Sequence, residues 1–117
     1  MKVLYVYGTL RPNESEPVPI PGYIYDLGWF PGVTLLSPDK TSSVFYAERI
    51  EVTEERLSRL DDYEGYYPDN PEGSLYLRVP YLDGEIYVYA DQSRLDSLVP
   101  IEGGDWIKYR EALADVD

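Results

Sequence analysis

Apolar and polar positions along the chain fall into short runs whose period changes several times. Lys2 to Tyr7 is a nearly unbroken apolar and aromatic run that stops at Gly8. β-Branched and aromatic side chains in such a run predict a buried strand. From Gly8 to Pro21 the pattern is lost, and Pro12, Asn13, Pro17, Pro19 and Pro21 predict a loop with Arg11 early in it. Gly22 to Gly28 predicts a short extended piece, closed by Pro31 and Gly32 as turn residues. Ser43 to Val52 alternates as a strand does. The period then becomes helical. Thr53 suits an N-cap, Glu54 and Glu55 fall where a helix favours negative charge, and Leu57, Leu60 and Asp61 share a face. This helix is expected to reach about Asp62 and to stop before Gly65.

Farther on, Leu75–Leu82 and Glu85–Ala90 flank Asp83-Gly84, a strong two-residue hairpin signal. Counting outward from that loop sets Leu82 opposite Glu85, Pro80 opposite Tyr87 and Arg78 opposite Tyr89. Tyr76, Arg78, Tyr87 and Tyr89 then share one face. Pro80 predicts an edge strand or an interrupted ladder. A short helix is expected near Ser93–Leu98. Gly103-Gly104-Asp105-Trp106 predicts a turn, an Asp N-cap and a final helix anchored by its Trp. No repeat, low-complexity tract or linker divides the chain, so one domain over residues 1–117 is expected. The element order predicts an α+β fold, a small mixed and partly closed sheet with a few short helices.

Composition narrows the chemistry. The chain has no cysteine and no histidine. Disulfides, thiolate catalysis and Cys-ligated metals are therefore excluded, and the commonest general base is missing. Acid–base work must fall to a carboxylate, a lysine or a tyrosine. The net charge of −12 opposes nucleic acid and anionic membranes as partners. The first residues lack the pattern of a signal peptide, and no run approaches the ~20 apolar residues of a membrane span. The cytoplasm is the expected location. Thirteen tyrosines stand against two Phe and two Trp, which suits strands and polar cavities.

Three segments can carry chemistry. Tyr7-Gly8-Thr9-Leu10-Arg11 ends the first strand, and its glycine lets backbone N–H groups approach an anion. The same residues equally suit a plain turn. Glu64 lies just beyond the expected helix end, among Tyr63, Tyr66 and Tyr67. Aromatic surroundings raise a carboxylate's pKa, as a base near neutrality requires. A solvated acidic helix end reads the same way in sequence. Arg78, with Tyr76 beside it and Tyr89 across the hairpin, can stack on rings or orient a carboxylate, or simply lie on the surface.

The order of these segments resembles the γ-glutamylcyclotransferase-like (AIG2-like) family. Tyr7-Gly8-Thr9-Leu10-Arg11 is similar to its opening signature. Asp26-Leu27-Gly28 with Pro31-Gly32, Leu60-Asp61-Asp62-Tyr63-Glu64-Gly65, Tyr76-Leu77-Arg78 and Gly104-Asp105-Trp106 resemble its later elements. The likeness runs from Val3 to about Tyr109. It implies a small mixed α+β barrel with a cavity at one end, and conversion of a γ-glutamyl compound to 5-oxoproline with release of an amine. It implies no cofactor, no metal and a small-molecule γ-glutamyl substrate. It implies Glu64 as the base and a Tyr7-Gly8-Thr9-Leu10 loop that holds the glutamyl head, with Tyr76, Arg78 and Tyr89 lining or supporting the cavity. Thr9 resembles the branch acting on γ-glutamylamines. A non-catalytic metabolite-binding module on the same fold is the alternative. Asn13 and the acidic Pro68–Ser74 segment depart from the family pattern.

Overall fold

A computed structural model describes residues 1–114. Six strands form one sheet: β1 (Lys2–Val6), β2 (Val18–Asp26), β3 (Pro31–Leu35), β4 (Val44–Val52), β5 (Tyr76–Tyr81) and β6 (Gly84–Tyr89). Their spatial order is β3-β2-β4-β1-β6-β5. All neighbours are antiparallel except β1 and β6, which are parallel. Helix α1 spans Glu54–Glu64, α2 Gln92–Leu95 and α3 Trp106–Ala114. The sheet curls until β3 packs against β6. The Gln92 side chain bridges them, donating to the Val33 and Tyr89 carbonyls at 3.1 and 2.7 Å. The result is the expected α+β half-barrel. Among the described residues, no helix is long and apolar enough to cross a membrane.

Strand alternation divides the interior in two. Leu4 and Val6 of β1 enter one cluster, with Leu57 and Leu60 of α1 and Tyr76, Tyr87 and Tyr89 of the β5–β6 hairpin. Tyr5 and Tyr7 enter the other, with Ile20, Ile24, Phe45 and Trp106. The period of two in β1 thus serves a central strand buried on both faces.

The structure corrects three expectations. Pro19 and Pro21 belong to β2, not to a loop. The Gly22 N–H donates to Ser43 on the β4 side, so alternation turns the nitrogens of Pro19 and Pro21 away from β4, where no donor is needed. Pro31 and Gly32 open β3 rather than close a turn. The hairpin loop is Leu82-Asp83, with Tyr81 opposite Gly84 and Arg78 opposite Tyr87. Gly84 is held in the strand by its neighbour: a Cβ there would meet the Val3 carbonyl oxygen at 2.4 Å. Asp83 is fixed by the Tyr5 hydroxyl at 2.6 Å and by Arg49. The register moves by two, so Tyr76, Arg78, Tyr87 and Tyr89 keep a common face. Pro80 does lie on an edge strand. Helix α1 runs one residue pair beyond Asp62, capped by Thr53 at its start and by left-handed Gly65 at its end.

Two arginine–carboxylate pairs lock the layers. Glu48 of β4 is fully buried. It accepts from Arg11 Nε at 3.0 Å, from the Asn13 and Glu14 N–H groups and from the Ser15 hydroxyl. Arg11 also reaches Asp105, whose side chain accepts the Lys108 N–H at the start of α3. Asp61 of α1 accepts from Arg78 Nε at 2.9 Å and Nη2 at 3.0 Å, and from the Tyr87 hydroxyl at 2.6 Å. Arg78 donates its third bond to Glu85 and lies over the Tyr66 ring.

Burial pushes Glu48 up, but Arg11 and the two backbone N–H groups outweigh it and hold the carboxyl below its ordinary value. A depressed folded pKa contributes stability above the ordinary carboxylate range and loses it as pH falls through the folded value. Arg11→Ala should therefore cost about 3–5 kcal/mol near neutral pH by denaturant unfolding, because it strands a buried charge, and less in acid, where Glu48 takes a proton. A loss under about 1 kcal/mol would contradict this account. Arg78→Ala should cost about 2–3 kcal/mol, and Arg78→Lys should recover only part, since lysine cannot reproduce the two-pronged contact with Asp61.

Candidate active site

The chain turns sharply where β1 ends. Tyr7-Gly8-Thr9-Leu10 leave the sheet in a turn closed by the Arg11 N–H, which donates to the Gly8 carbonyl at 3.1 Å. A cavity of about 250 Å³ lies against this turn. Pro31 closes over the glycine, and a Cβ on Gly8 would come within 2.9 Å of the proline ring. The rest of the lining comes from four places: Tyr5 and Val6 of β1, Tyr63 and Glu64 in the last turn of α1, Tyr76 and Tyr87 of the hairpin, and Trp29, Phe30 and Pro31 of the β2–β3 connection.

Glu64 is the charged side chain of this lining. Among the described residues, no protein donor bonds its carboxylate. Burial without compensation pushes its pKa up to about 7. Glu64 also stands in the last turn of α1, where a helix disfavours negative charge. The carboxyl is therefore near half-ionised at neutral pH, the condition in which one group can both take and return a proton.

Three tyrosines explain why no donor reaches Glu64. The Tyr7 hydroxyl donates to the Tyr87 carbonyl at 2.7 Å, Tyr76 to the Pro31 carbonyl at 2.5 Å, and Tyr87 to Asp61 at 2.6 Å. Each has one proton, and each proton is committed elsewhere. Burial raises the pKa of all three, and the nearby Glu64 charge raises each further. They stay neutral at any physiological pH. On the facing turn, the N–H groups of Thr9 and Leu10 donate to no acceptor among the described residues. The cavity thus combines one carboxylate poised near neutrality, free backbone donors and aromatic walls. Among the described residues, no group of three or more Asp, Glu, His or Cys is placed to hold a metal ion.

Six of the eight residues singled out in the sequence meet here: Tyr7, Gly8, Thr9, Leu10, Glu64 and Tyr76. Arg78 and Tyr89 lie outside the lining. Arg78 is occupied by Asp61 and Glu85, and Tyr89 packs edge-on against Tyr76 with ring centroids 5.5 Å apart. Both support the walls from behind. Sequence reasoning missed Trp29, Phe30 and Pro31, whose signal was two adjacent aromatics inside a Gly/Pro turn. It named Tyr63 among the aromatic neighbours of Glu64 but left Tyr87 without a role at the site. The Pro68–Ser74 segment closes on itself through the Ser74 hydroxyl and adds nothing to the cavity lining.

The chain matches the family described as gamma-glutamyl cyclotransferase, AIG2-like over residues 4–108. It is 29% identical over 131 aligned positions to the gamma-L-glutamyl-butirosin B gamma-glutamyl cyclotransferase of Niallia circulans, covering 94% of this chain and 78% of that relative. No solved structure matches it. The matched span contains the turn after β1, the isolated carboxylate and the arginine that braces its helix, and on that match the chain belongs to the γ-glutamyl cyclotransferase, AIG2-like family.

Proposed function

We propose that the protein converts a γ-glutamyl amine or amide to 5-oxoproline and the free amine, with Glu64 as general base and then general acid. The observation that carries this reading is the placement of Glu64, a carboxylate with a pKa of about 7 in a cavity whose other polar groups are neutral. The substrate brings its own nucleophile, an α-amine that is protonated and inert in water. The Glu64 carboxylate meets that ammonium and takes one proton. The freed lone pair attacks the γ-carbonyl carbon, a C–N bond closes the five-membered ring, and the carbonyl pair moves onto oxygen. As the pair returns, the bond to the leaving nitrogen breaks and Glu64 gives that nitrogen its proton. A second proton comes off the ring nitrogen and departs with the amine as ammonium. Attack within one molecule, held in position, supplies much of the acceleration.

The substrate's α-carboxylate falls to the Thr9 and Leu10 N–H groups, since no Lys or Arg lines the cavity. The same absence favours a leaving amine over a leaving amino acid or peptide, whose own carboxylate would find no cation. Thr9 in the turn, as in the resembling amine-acting branch, agrees with this.

Glu64→Gln should lower kcat by about 10²–10⁴-fold. The wild-type acid limb in kcat/KM, with activity rising through about pH 7, should be absent from the residual activity. Wild-type turnover in the variant would remove Glu64 from the chemistry. The same substitution should stabilise the empty protein. A folded pKa above the ordinary value gives stability that is present in acid and lost as pH rises through about 7. Discounted for solvent at the cavity mouth, the gain from Gln is about 1–2 kcal/mol at mildly alkaline pH, and it vanishes below the ordinary carboxylate range. Melting curves at the two pH values check it.

A further inference from the structure

Two exposed aromatic side chains line the cavity without serving the core. Trp29 is 83% exposed and Tyr63 71%, yet both border the space that Glu64 faces. They come from different elements, the β2–β3 connection and the last turn of α1. Among the described residues, neither ring stacks on another ring or receives a cation. A lone exposed aromatic needs no explanation, but two that meet at one cavity do.

No Lys or Arg lines the cavity, and Arg11, Arg49 and Arg78 are all committed to carboxylates elsewhere. Arg59, one turn before Tyr63 on α1, faces Glu55 at 3.9 Å. Asp62, beside Tyr63, is exposed, and the chain carries −12 overall. Electron-rich ring faces in a negative field attract a cation and repel a carboxylate. In the cyclotransfer geometry the glutamyl head sits inward, at the turn and Glu64. The group that departs therefore points along the exposed rings.

We propose that Trp29 and Tyr63 form a subsite that grips the leaving amine by cation–π contact and selects amines carrying a second positive charge beyond the amide nitrogen. This rests on the cyclotransferase reading of Glu64 and extends it to the half of the substrate that is released.

Three γ-glutamyl amides of equal chain length test it, made from putrescine, n-pentylamine and δ-aminovalerate, so that the far end is ammonium, methyl or carboxylate. Release of 5-oxoproline is followed in wild type, in the Trp29→Leu/Tyr63→Leu double variant and in the two Phe variants. Wild type should prefer ammonium to methyl by about 5–30-fold in kcat/KM, with carboxylate last. The double variant should bring the ammonium-to-methyl ratio near unity, and Trp29→Phe and Tyr63→Phe should keep part of it. The wild-type ratio should survive about 0.5 M salt, where the field of the whole protein is screened. A ratio abolished by salt, or unchanged in the double variant, assigns the preference to net charge and overturns the subsite. Equal wild-type rates on the ammonium and methyl substrates overturn it while the cyclotransferase reading stands. No 5-oxoproline from any of the three removes that reading as well.

Discussion

A carboxylate taken out of water must find a cation or several donors, or else give up its charge. Among the described residues this chain buries Glu48 and Asp61 and half-buries Glu64, and it treats these three differently. Glu48 receives Arg11, two backbone N–H groups and a serine hydroxyl. Asp61 receives the fork of Arg78 and the Tyr87 hydroxyl. Glu64 receives nothing from the described protein, and its pKa climbs to about 7. With ten basic residues against 22 acidic ones, arginines are scarce. Placing two of them behind the site and none within it is what leaves one carboxyl poised at neutrality.

Asp61 and Glu64 are linked by helix geometry. Residues three apart lie on nearly the same face of a helix, one turn above the other. The Arg78 and Tyr87 bonds to Asp61 fix the rotation of α1 against the hairpin, and that rotation presents Glu64 to the cavity. The left-handed Gly65 then ends the helix at once, so Glu64 sits in the last turn, where the backbone disfavours negative charge. The stabilising contact and the functional group belong to one short helix, but they are different residues with opposite electrostatics.

Much of this was legible in the sequence where a local rule decides the outcome. Thr53, Leu57, Leu60, Asp61 and Gly65 mark the face and the stop of α1, and the unbroken apolar and aromatic run marks β1 as a buried strand. The turn after β1 and Glu64 were legible because glycine and an isolated acid among tyrosines are local signals. What was not legible depends on neighbours distant in sequence. Pro19 and Pro21 look like loop residues until β4 is known to lie on the side their nitrogens avoid. Asp83-Gly84 looks like the hairpin loop until β1 is seen pressing on Gly84. Arg78 looks like a ligand for substrate until Asp61, 17 residues away, is seen to occupy it. Trp29 is a turn residue in sequence and a cavity wall in space.

The preference for tyrosine over phenylalanine follows from the same electrostatic constraint. The Pro31 and Tyr87 carbonyls both lie behind the cavity, and each takes a proton from a cavity tyrosine. Phenylalanine at position 7 or 76 would keep the aromatic wall but leave a buried carbonyl unpaired. Histidine or lysine there could satisfy the carbonyl, yet would also place a titratable cation beside Glu64 and pull its pKa back down. A phenol escapes both faults. It stays neutral, it has a single proton to give, and once that proton is spent on the backbone it has none left for the carboxylate. Tyrosine therefore lets the wall be internally satisfied while Glu64 remains unsatisfied, and a general base near neutrality needs both conditions together.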